Sequence, residues 1–257
     1  MLTVGAGRIL FWEGGSMWVL TAGPTVGAEG VKGTFHSHHA VQVTLALDGW
    51  FELETADLKV KSPAAAVAPD TPHAIRAGGT VAFLYIEPES HAGRMAMGRL
   101  FETGSLAPVG WDLFGNLPGN LIAAFRNPAV SDATLKDIGR ALIARLSGDL
   151  EAATADERIS RVIEWAAAHV STAMTLADAA AVAGLSPDRM RHLFVQHTGL
   201  PFRTYVLWLR LLNAVESYAR GDSLTDAAHA AGFADSAHFS RTFRRMFGFA
   251  AAELRLS

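Results

Sequence analysis

The chain has 257 residues, a formal charge of −3, half its residues apolar and 18% charged, which suits two folded domains rather than a disordered chain. It contains no cysteine, so disulfides, thiolate zinc sites, thiol catalysis and thiol redox sensing are excluded. No apolar run reaches the roughly 18 residues of a membrane span, and Met1-Leu2-Thr3-Val4-Gly5 has no basic n-region; a soluble cytoplasmic protein is expected.

The N-terminal part reads as β. Alternating or β-branched runs occur at Arg8–Trp12, Met17–Leu20, Val41–Leu47, Trp50–Glu54, Ala65–Ala68 and Val81–Ile86, punctuated by Gly, Pro, Asp and Asn. Many short strands predict a barrel or a sandwich. Within them lie His36-Ser37-His38, then Gln42 and Gly49, and later His73 at the end of Ala68-Pro69-Asp70-Thr71-Pro72-His73. In an extended strand His36 and His38 share a face, as a chelating pair requires, whereas His39 alternates outward and is expected in solvent. This pattern resembles the two cupin motifs, which in metal-binding members supply two His and a Glu, then a His. Here Gln42 stands for the Glu, and Asp70 stands where glycine is usual. The resemblance implies either an effector pocket around His36, His38, Gln42 and His73, or a divalent transition metal on the three imidazoles. A neutral Gln weakens the metal alternative. Trp12, Trp18, Phe35, Trp50 and Phe51 are candidates for apolar lining or for plain core.

Helical periodicity begins near His91, with stretches at Arg94–Phe101, Asn120–Arg126 and Asp132–Leu146. The last carries Leu135, Ile138, Leu142 and Leu146, a stripe to be covered by its own barrel or by a second subunit. Residues 148–155 read as a linker, and Asp156–Val170 as a further helix.

The last third states one pattern twice. Thr175-Leu176-Ala177-Asp178 and Ser223-Leu224-Thr225-Asp226 each open a capped helix, 48 residues apart. Gly184 and Gly232 break those helices, and second helices follow, capped by Ser186 with Pro187 or by Asp235. Phe194 to Phe243 and Gly199 to Gly248 are 49 apart, so one residue has been added near Ala234. This is a tandem helix-turn-helix. Met190, Leu193 and Phe194 point inward in the first copy; Phe239, Thr242, Phe243 and Phe247 do so in the second. The opposite faces carry Asp188, Arg189, Arg191, His192 and Val195, or Ser236, Ala237, Ser240, Arg241 and Arg244, residue types suited to a major groove. Residues 1–154 hold 11 Lys and Arg against 15 Asp and Glu; residues 155–257 hold 11 against 10, every base an arginine. Local placement of those arginines outweighs so small a net balance. Between the copies, Pro201 to Arg220 has no interior Pro or Gly and reads as one long helix with Trp208 in its core stripe. A rigid connector would hold two recognition helices about 34 Å apart, one turn of B-DNA.

Residues Thr175 to Arg255 resemble the DNA-binding domain of the AraC/XylS regulators. The likeness rests on Leu185-Ser186, Leu193-Phe194, Gly199, Arg210 with Ala214, Ala228, Gly232-Phe233, His238-Phe239-Ser240, Phe243, Phe247-Gly248 and Glu253-Leu254-Arg255. Phe249-Ala250-Ala251-Ala252 departs from the family, which places an aliphatic residue and a short proline-containing turn there. The absence of cysteine separates the chain from the related DNA-alkylation-repair proteins.

The resemblance implies an α+β protein of two domains: a cupin-like effector-sensing β-barrel (1–90) with flanking helices, then an all-α tandem helix-turn-helix domain (156–257). A helical segment (91–147) would mediate homodimerisation and 148–155 would be the linker, with the two motifs at about 175–197 and 223–246. The expected partners are double-stranded DNA, a small-molecule effector, a second copy of the chain and, for an activator, RNA polymerase, with no membrane. Catalysis is not expected. The alternatives are a metal-dependent cupin enzyme with an accessory DNA-binding domain, and a constitutive architectural DNA-binding protein.

Overall fold

The alternating runs of the N-terminal part form one nine-stranded sheet: β1 (Val4–Trp12), β2 (Gly15–Ala22), β3 (Val31–Lys32), β4 (Val41–Glu54), β5 (Lys59–Lys61), β6 (Ala64–Val67), β7 (Ala74–Ile86), β8 (Leu106–Pro108) and β9 (Arg255–Leu256). The computed structural model describes residues 4–22, 31–148 and 156–256. Its strand order is β8-β6-β4-β7-β2-β1-β9, with β3 also on β7 and β5 on β4. Every pairing is antiparallel except β1 with β9. Among the described residues the path is open. The expected closed barrel is therefore corrected to an open sheet, whose end strands β8 and β9 have only three and two residues.

Two further expectations change. Val41–Leu47 and Trp50–Glu54 are not separate strands but parts of the 14-residue β4. Asp48-Gly49, which separates the two runs, lies beside a register shift between Ala46 and Asp48 that the β4–β7 ladder runs straight through. Gly49 (φ +149°) faces Gly79 (φ +76°), and a Cβ at Gly49 would lie 2.0 Å from the Gly78 carbonyl oxygen. The glycines permit a close backbone approach, not a reversal.

The second change concerns the leucine stripe. Three helices follow β7: α1 (His91–Leu100), α2 (Leu117–Arg126) and α3 (Asp132–Ser147), α1 and α3 opened by side-chain caps from Ser90 and Ser131. Leu135, Leu142 and Leu146 are fully buried in a cluster with Leu10, Met17, Val43 and Leu84 of the sheet, with Ile138 packed at its edge. The chain's own sheet covers the stripe, which corrects the expectation that it forms a seam with a second subunit. Burial there removes each leucine from water at about 25 cal/mol per Å².

The chain divides by contacts into two units: Met1–Ala152 with Phe243–Ser257, and Ala153–Thr242. The expected linker falls outside the described residues except for Gly148, which caps α3 at φ +66°. In the second unit lie α4 (Glu157–Ala168), α5 (Leu176–Ala183), α6 (Pro187–Thr198), α7 (Phe202–Ala219), α8 (Leu224–Ala230) and the start of α9 (Ser236–Phe247). Thr175 and Asp178 form a full capping box, and Ser223 accepts from Asp226 N at the matching place in the second copy. Met190 and Phe194 of α6 pack on Ile159, Ala180, Phe202 and Tyr205. Trp208 is 2% exposed, so it belongs to the core as its helical spacing predicts. Arg210 of α7 donates to the carbonyls of Val170 and Thr172, pinning the loop after α4.

Leu142→Asp places an unpartnered carboxylate in a fully buried site. The variant is expected to lose about 4 kcal/mol or more and to unfold, not to become a folded monomer. Circular dichroism during urea titration checks this; a cooperative, wild-type-like transition with a smaller sedimentation coefficient would restore the dimer-seam reading.

Candidate functional site

In each copy of the repeat, a glycine or short turn ends the first helix and a side-chain cap starts the second. Gly184 takes the left-handed conformation at φ +66°, and Ser186 then accepts from Arg189 N. In the second copy Gly232 has φ +80°, and Asp235 accepts from His238 N at 2.6 Å. These local signals aim both second helices so that one face is buried and the other open. Asp188, Arg189, Arg191 and His192 are all exposed on α6. On α9, Ala237, Arg241 and Arg244 are exposed and Ser236 and Ser240 half-buried. Arg191 shares an ion pair with Asp188 at 3.3 Å. Among the described residues Arg241, Arg244 and Arg245 enter no ion pair, so three guanidinium groups on one helix end keep their charge for an external anion.

The second site lies on the sheet face opposite the leucine-rich helices. Alternation along β4 sends Val41, Val43 and Leu45 to the helices, and Gln42 and Thr44 to the other side. Gln42 sits opposite Tyr85 in the ladder, and Trp18 opposite Phe83. The loop before β4 and the end of the turn before β7 are joined by a two-residue bridge, in which His36 N donates to His73 O and His73 N to His36 O, both at 2.9 Å. This bridge brings together His36, His38 and His73, whose ligand atoms lie within 4.8 Å of one another. The four predicted pocket residues, Gln42 included, are thus gathered in one buried place.

The hydrogen bonds determine what this cluster offers. His36 Nδ1 and His73 Nδ1 each lie 2.8 Å from a carbonyl, of Thr34 and Thr71, and a carbonyl can only accept. Both rings therefore carry the proton on Nδ1 and present Nε2 lone pairs. The Gln42 amide donates to Thr44 Oγ1 at 3.0 Å, which turns Oε1 toward His38 Nε2 at 2.9 Å and His73 Nε2 at 3.3 Å. Burial keeps the imidazoles neutral: it pushes His38 down to about 3 and His73 to about 2, and lowers His36 as well. Neutral rings with Nδ1 held by carbonyls are the form in which histidine binds transition metals. The donor set fits such an ion, with His36, His73 and His38 as its ligands and no carboxylate among them.

Beside the cluster is a cavity of about 70 Å³. Its walls include Trp18, Val81, Phe83 and Tyr85 of the sheet, with Phe247 and Phe249 closing it. Phe247 packs on Trp18 at 4.6 Å and edge-on to Tyr85 at 5.6 Å between ring centroids. Thr34 holds this segment by donating its N–H and its hydroxyl to the Gly248 carbonyl, at 3.1 and 3.0 Å.

Comparison with known proteins places this arrangement. Residues 179–257 match a family described as a helix-turn-helix domain. The RhaS transcriptional activator of Escherichia fergusonii is 38% identical over 101 residues, 39% of this chain and 36% of that protein. RhaS of Salmonella schwarzengrund is 31% identical over 130 residues, 50% of this chain and 47% of that protein. The C-terminal domain is thus similar to the helix-turn-helix domains of these transcriptional activators. The chain spans less than half the length of these relatives. Among solved structures, apo ToxT K231A from Vibrio cholerae matches at a TM-score of 0.62 and 10% identity, covering 95% of this chain and 97% of that one. ToxT from Vibrio cholerae O395 matches at 0.58 and 12%, covering 92% and 94%. At such identity the likeness is one of fold: an N-terminal antiparallel sheet followed by helices.

One histidine of the N-terminal unit sits where alternation did not put it. His39 is 2% exposed, not in solvent. Residues 37–40 are irregular, so strand alternation does not apply to them. Burial alone would lower His39, but hydrogen bonds to Asp70 (2.9 Å) and Glu89 (2.5 Å) outweigh it and raise the ring to about 9. Asp70 adopts φ +57°, which explains why glycine is usual at its place. Of the proposed aromatic lining only Trp18 reaches the cavity; Phe35 is 52% exposed and Phe51 lies in the core. Sequence reasoning missed Tyr85, Phe249 and the Thr34 clamp. The one available signal was Phe249, which opens the Phe249-Ala250-Ala251-Ala252 departure from the family pattern.

Glu89→Ala removes one partner of a buried, charged imidazole. A loss of about 3 kcal/mol is expected, as for other buried pairs broken on one side. Chemical denaturation would read it; a change under about 0.5 kcal/mol, the usual scale of surface substitutions, would show that the pair carries no load.

Proposed function

We propose that the chain is a sequence-specific DNA-binding transcriptional regulator whose N-terminal unit takes a small-molecule effector. The observation that carries the reading is the pair of in-phase helix-turn-helix copies, each with a buried inner stripe and an exposed polar or arginine-bearing face. Arg241 and Arg191 are the groups assigned to base edges, where a guanidinium bridges guanine O6 and N7. Ser236, Ala237 and Ser240 allow close approach, and Asp188, Arg189, His192 and Arg244 complete the two faces. The effector half of the reading is supported by the cavity beside His36 and Gln42. It is also supported by ToxT, a like-folded protein crystallised with an unsaturated fatty acid at a TM-score of 0.54.

Replacing Arg241 or Arg191 by Ala is expected to cost about 1–3 kcal/mol of specific binding and to relax base preference at one position. An operator selected from random DNA, tested by fluorescence anisotropy against scrambled DNA, provides the measurement. Equal weakening on both DNAs would reassign the residue to phosphate contact. Unchanged affinity in both folded variants would sink the assignment of these faces.

The three histidines support a second reading of the same unit, a metal-holding site without catalysis. Zinc is expected to bind this all-neutral set more weakly than a set with a carboxylate. Gln42→Glu should raise zinc affinity roughly tenfold or more by placing a negative charge beside the dication. His38→Ala should abolish it. Equilibrium dialysis of tag-free protein measures all three, and no zinc retention in the wild type or the Glu variant would reject the site.

A further inference from the structure

We infer that Asp188 and Arg191 of α6 act as one reading unit, matched to the full major-groove edge of a single G·C pair, with Asp188 taking the cytosine amino group. The inference rests on the regulator reading and deepens it by naming the base pair that the first helix-turn-helix selects and the residue that rejects the others.

An acid is out of place on a surface that meets DNA. Asp188 is the one carboxylate within α6 or α9. Facing a polyanion, it opposes binding at every site within a Debye length of about 10 Å at 0.1 M salt, unless a base donates to it. The fold has little need of it. Asp188 lies in the first turn, where the backbone dipole favours an acid, yet that turn already has a side-chain cap from Ser186. Its ion pair with Arg191 joins two largely exposed side chains and contributes little to stability. In the second copy, at the offset of 49, Ala237 and Ser240 stand in the places of Asp188 and Arg191. There α9, capped by Asp235, has no acid in its first turn.

Geometry names the base pair. Arg191 Nη1 donates to Asp188 Oδ1 at 3.3 Å, and among the described residues neither side chain has another partner. The two therefore present, side by side, a fork of remaining donors and a carboxylate whose Oδ2 is open. A G·C pair presents the complement in the same order: guanine N7 and O6 accept, and cytosine N4–H donates. O6 and N4 are bonded to each other about 2.9 Å apart, close to the separation of the two protein atoms. Nη2 meets N7, the second proton of Nη1 meets O6, and Asp188 Oδ2 receives N4–H. In an A·T pair the donor lies between two acceptors, so guanidinium and carboxylate cannot both be matched there. An unmatched carboxylate then opposes binding, which rejects the wrong pair more firmly than Arg191 does alone.

The test uses the full chain, an operator selected from random DNA, and fluorescence anisotropy as the readout. The guanine read by Arg191 is located with 7-deazaguanine, which lacks N7: at that guanine the replacement weakens wild type and leaves Arg191→Ala unchanged. Its cytosine is then replaced by N4-methylcytosine, which keeps the Watson–Crick bond and loses the groove-facing proton. Wild type is expected to weaken roughly tenfold and Asp188→Ala not at all. Asp188→Asn, which keeps an acceptor and drops the charge, should retain the sensitivity. Both Asp188 variants should bind scrambled DNA several-fold tighter at low salt. Equal sensitivity to N4-methylcytosine in wild type and Asp188→Ala, or none in wild type, overturns the inference and leaves Asp188 a helix-end charge. An operator in which no guanine depends on Arg191 overturns it too, while the regulator reading stands. Failure to select any operator over scrambled DNA rejects the regulator reading, and the inference with it.

Discussion

The register between β4 and β7, running from Val41 opposite Ile86 to Glu54 opposite Ala74, is the constraint on which the N-terminal unit depends. It sorts side chains into two faces. Val43 and Leu84 go to the cluster beneath α3, while Gln42, Phe83 and Tyr85 go to the cavity. A slip of one residue would exchange these sets, burying an amide among leucines and emptying the aromatic wall. The shift at Ala46/Asp48 and the Gly49–Gly79 approach keep the two long strands paired beyond it, so that His73, one residue before β7, meets His36.

What was legible in the sequence follows from this. The tandem motif could be read in detail because its signals are local: a capping hydroxyl, a turn glycine and a 3–4 stripe need no partner elsewhere in the chain. The convergence of His36, His38, Gln42 and His73 was legible through the motif spacing. Three things were not. Asp48-Gly49 carries a turn signature, but a bulge uses the same residue types, and only the opposing Gly78-Gly79 distinguishes them. The stripe on α3 specifies that it must be covered, not by what. His39 was misplaced because strand alternation was extended over an irregular segment, and its partners Asp70 and Glu89 lie 31 and 50 residues away.

The two groove-facing helices differ in electrostatic character in a way that bears on how they would contact DNA. On α6 an acidic residue, Asp188, sits one turn from Arg191 and pairs with it at the surface, so its carboxylate partly offsets the positive potential of that face. The last two turns of α9 carry Arg241, Arg244 and Arg245 with no such partner among the described residues. Cations near a helix C-terminus are also favoured by the backbone dipole, which helps three of them tolerate one another. On the proposed reading, the first helix would suit base readout and the second would add stronger phosphate attraction.

The repeat itself shows where the second copy has acquired a task that the first lacks. With the offset of 49, Thr198 corresponds to Phe247, Gly199 to Gly248 and Leu200 to Phe249. In the first copy Thr198 satisfies its hydroxyl locally, with the Phe194 carbonyl at 2.9 Å and the Leu200 carbonyl at 3.1 Å as acceptors within reach and the Leu200 N–H donating to it, and the helix ends on its own hydrogen bonds. In the second copy the two flanking positions are phenylalanines, which have no hydroxyl to close the turn, and their rings lie on Trp18, Tyr85 and the cavity. The glycine between them does double duty. As in the first copy it ends the helix in the left-handed region, and it also leaves room for His36. Packing needs within a helix-turn-helix do not call for an aromatic on each side of that glycine, as the first copy demonstrates. The pair is accounted for by the sheet it covers, so the end of α9 is an element of the N-terminal pocket that happens to be encoded in the C-terminal repeat.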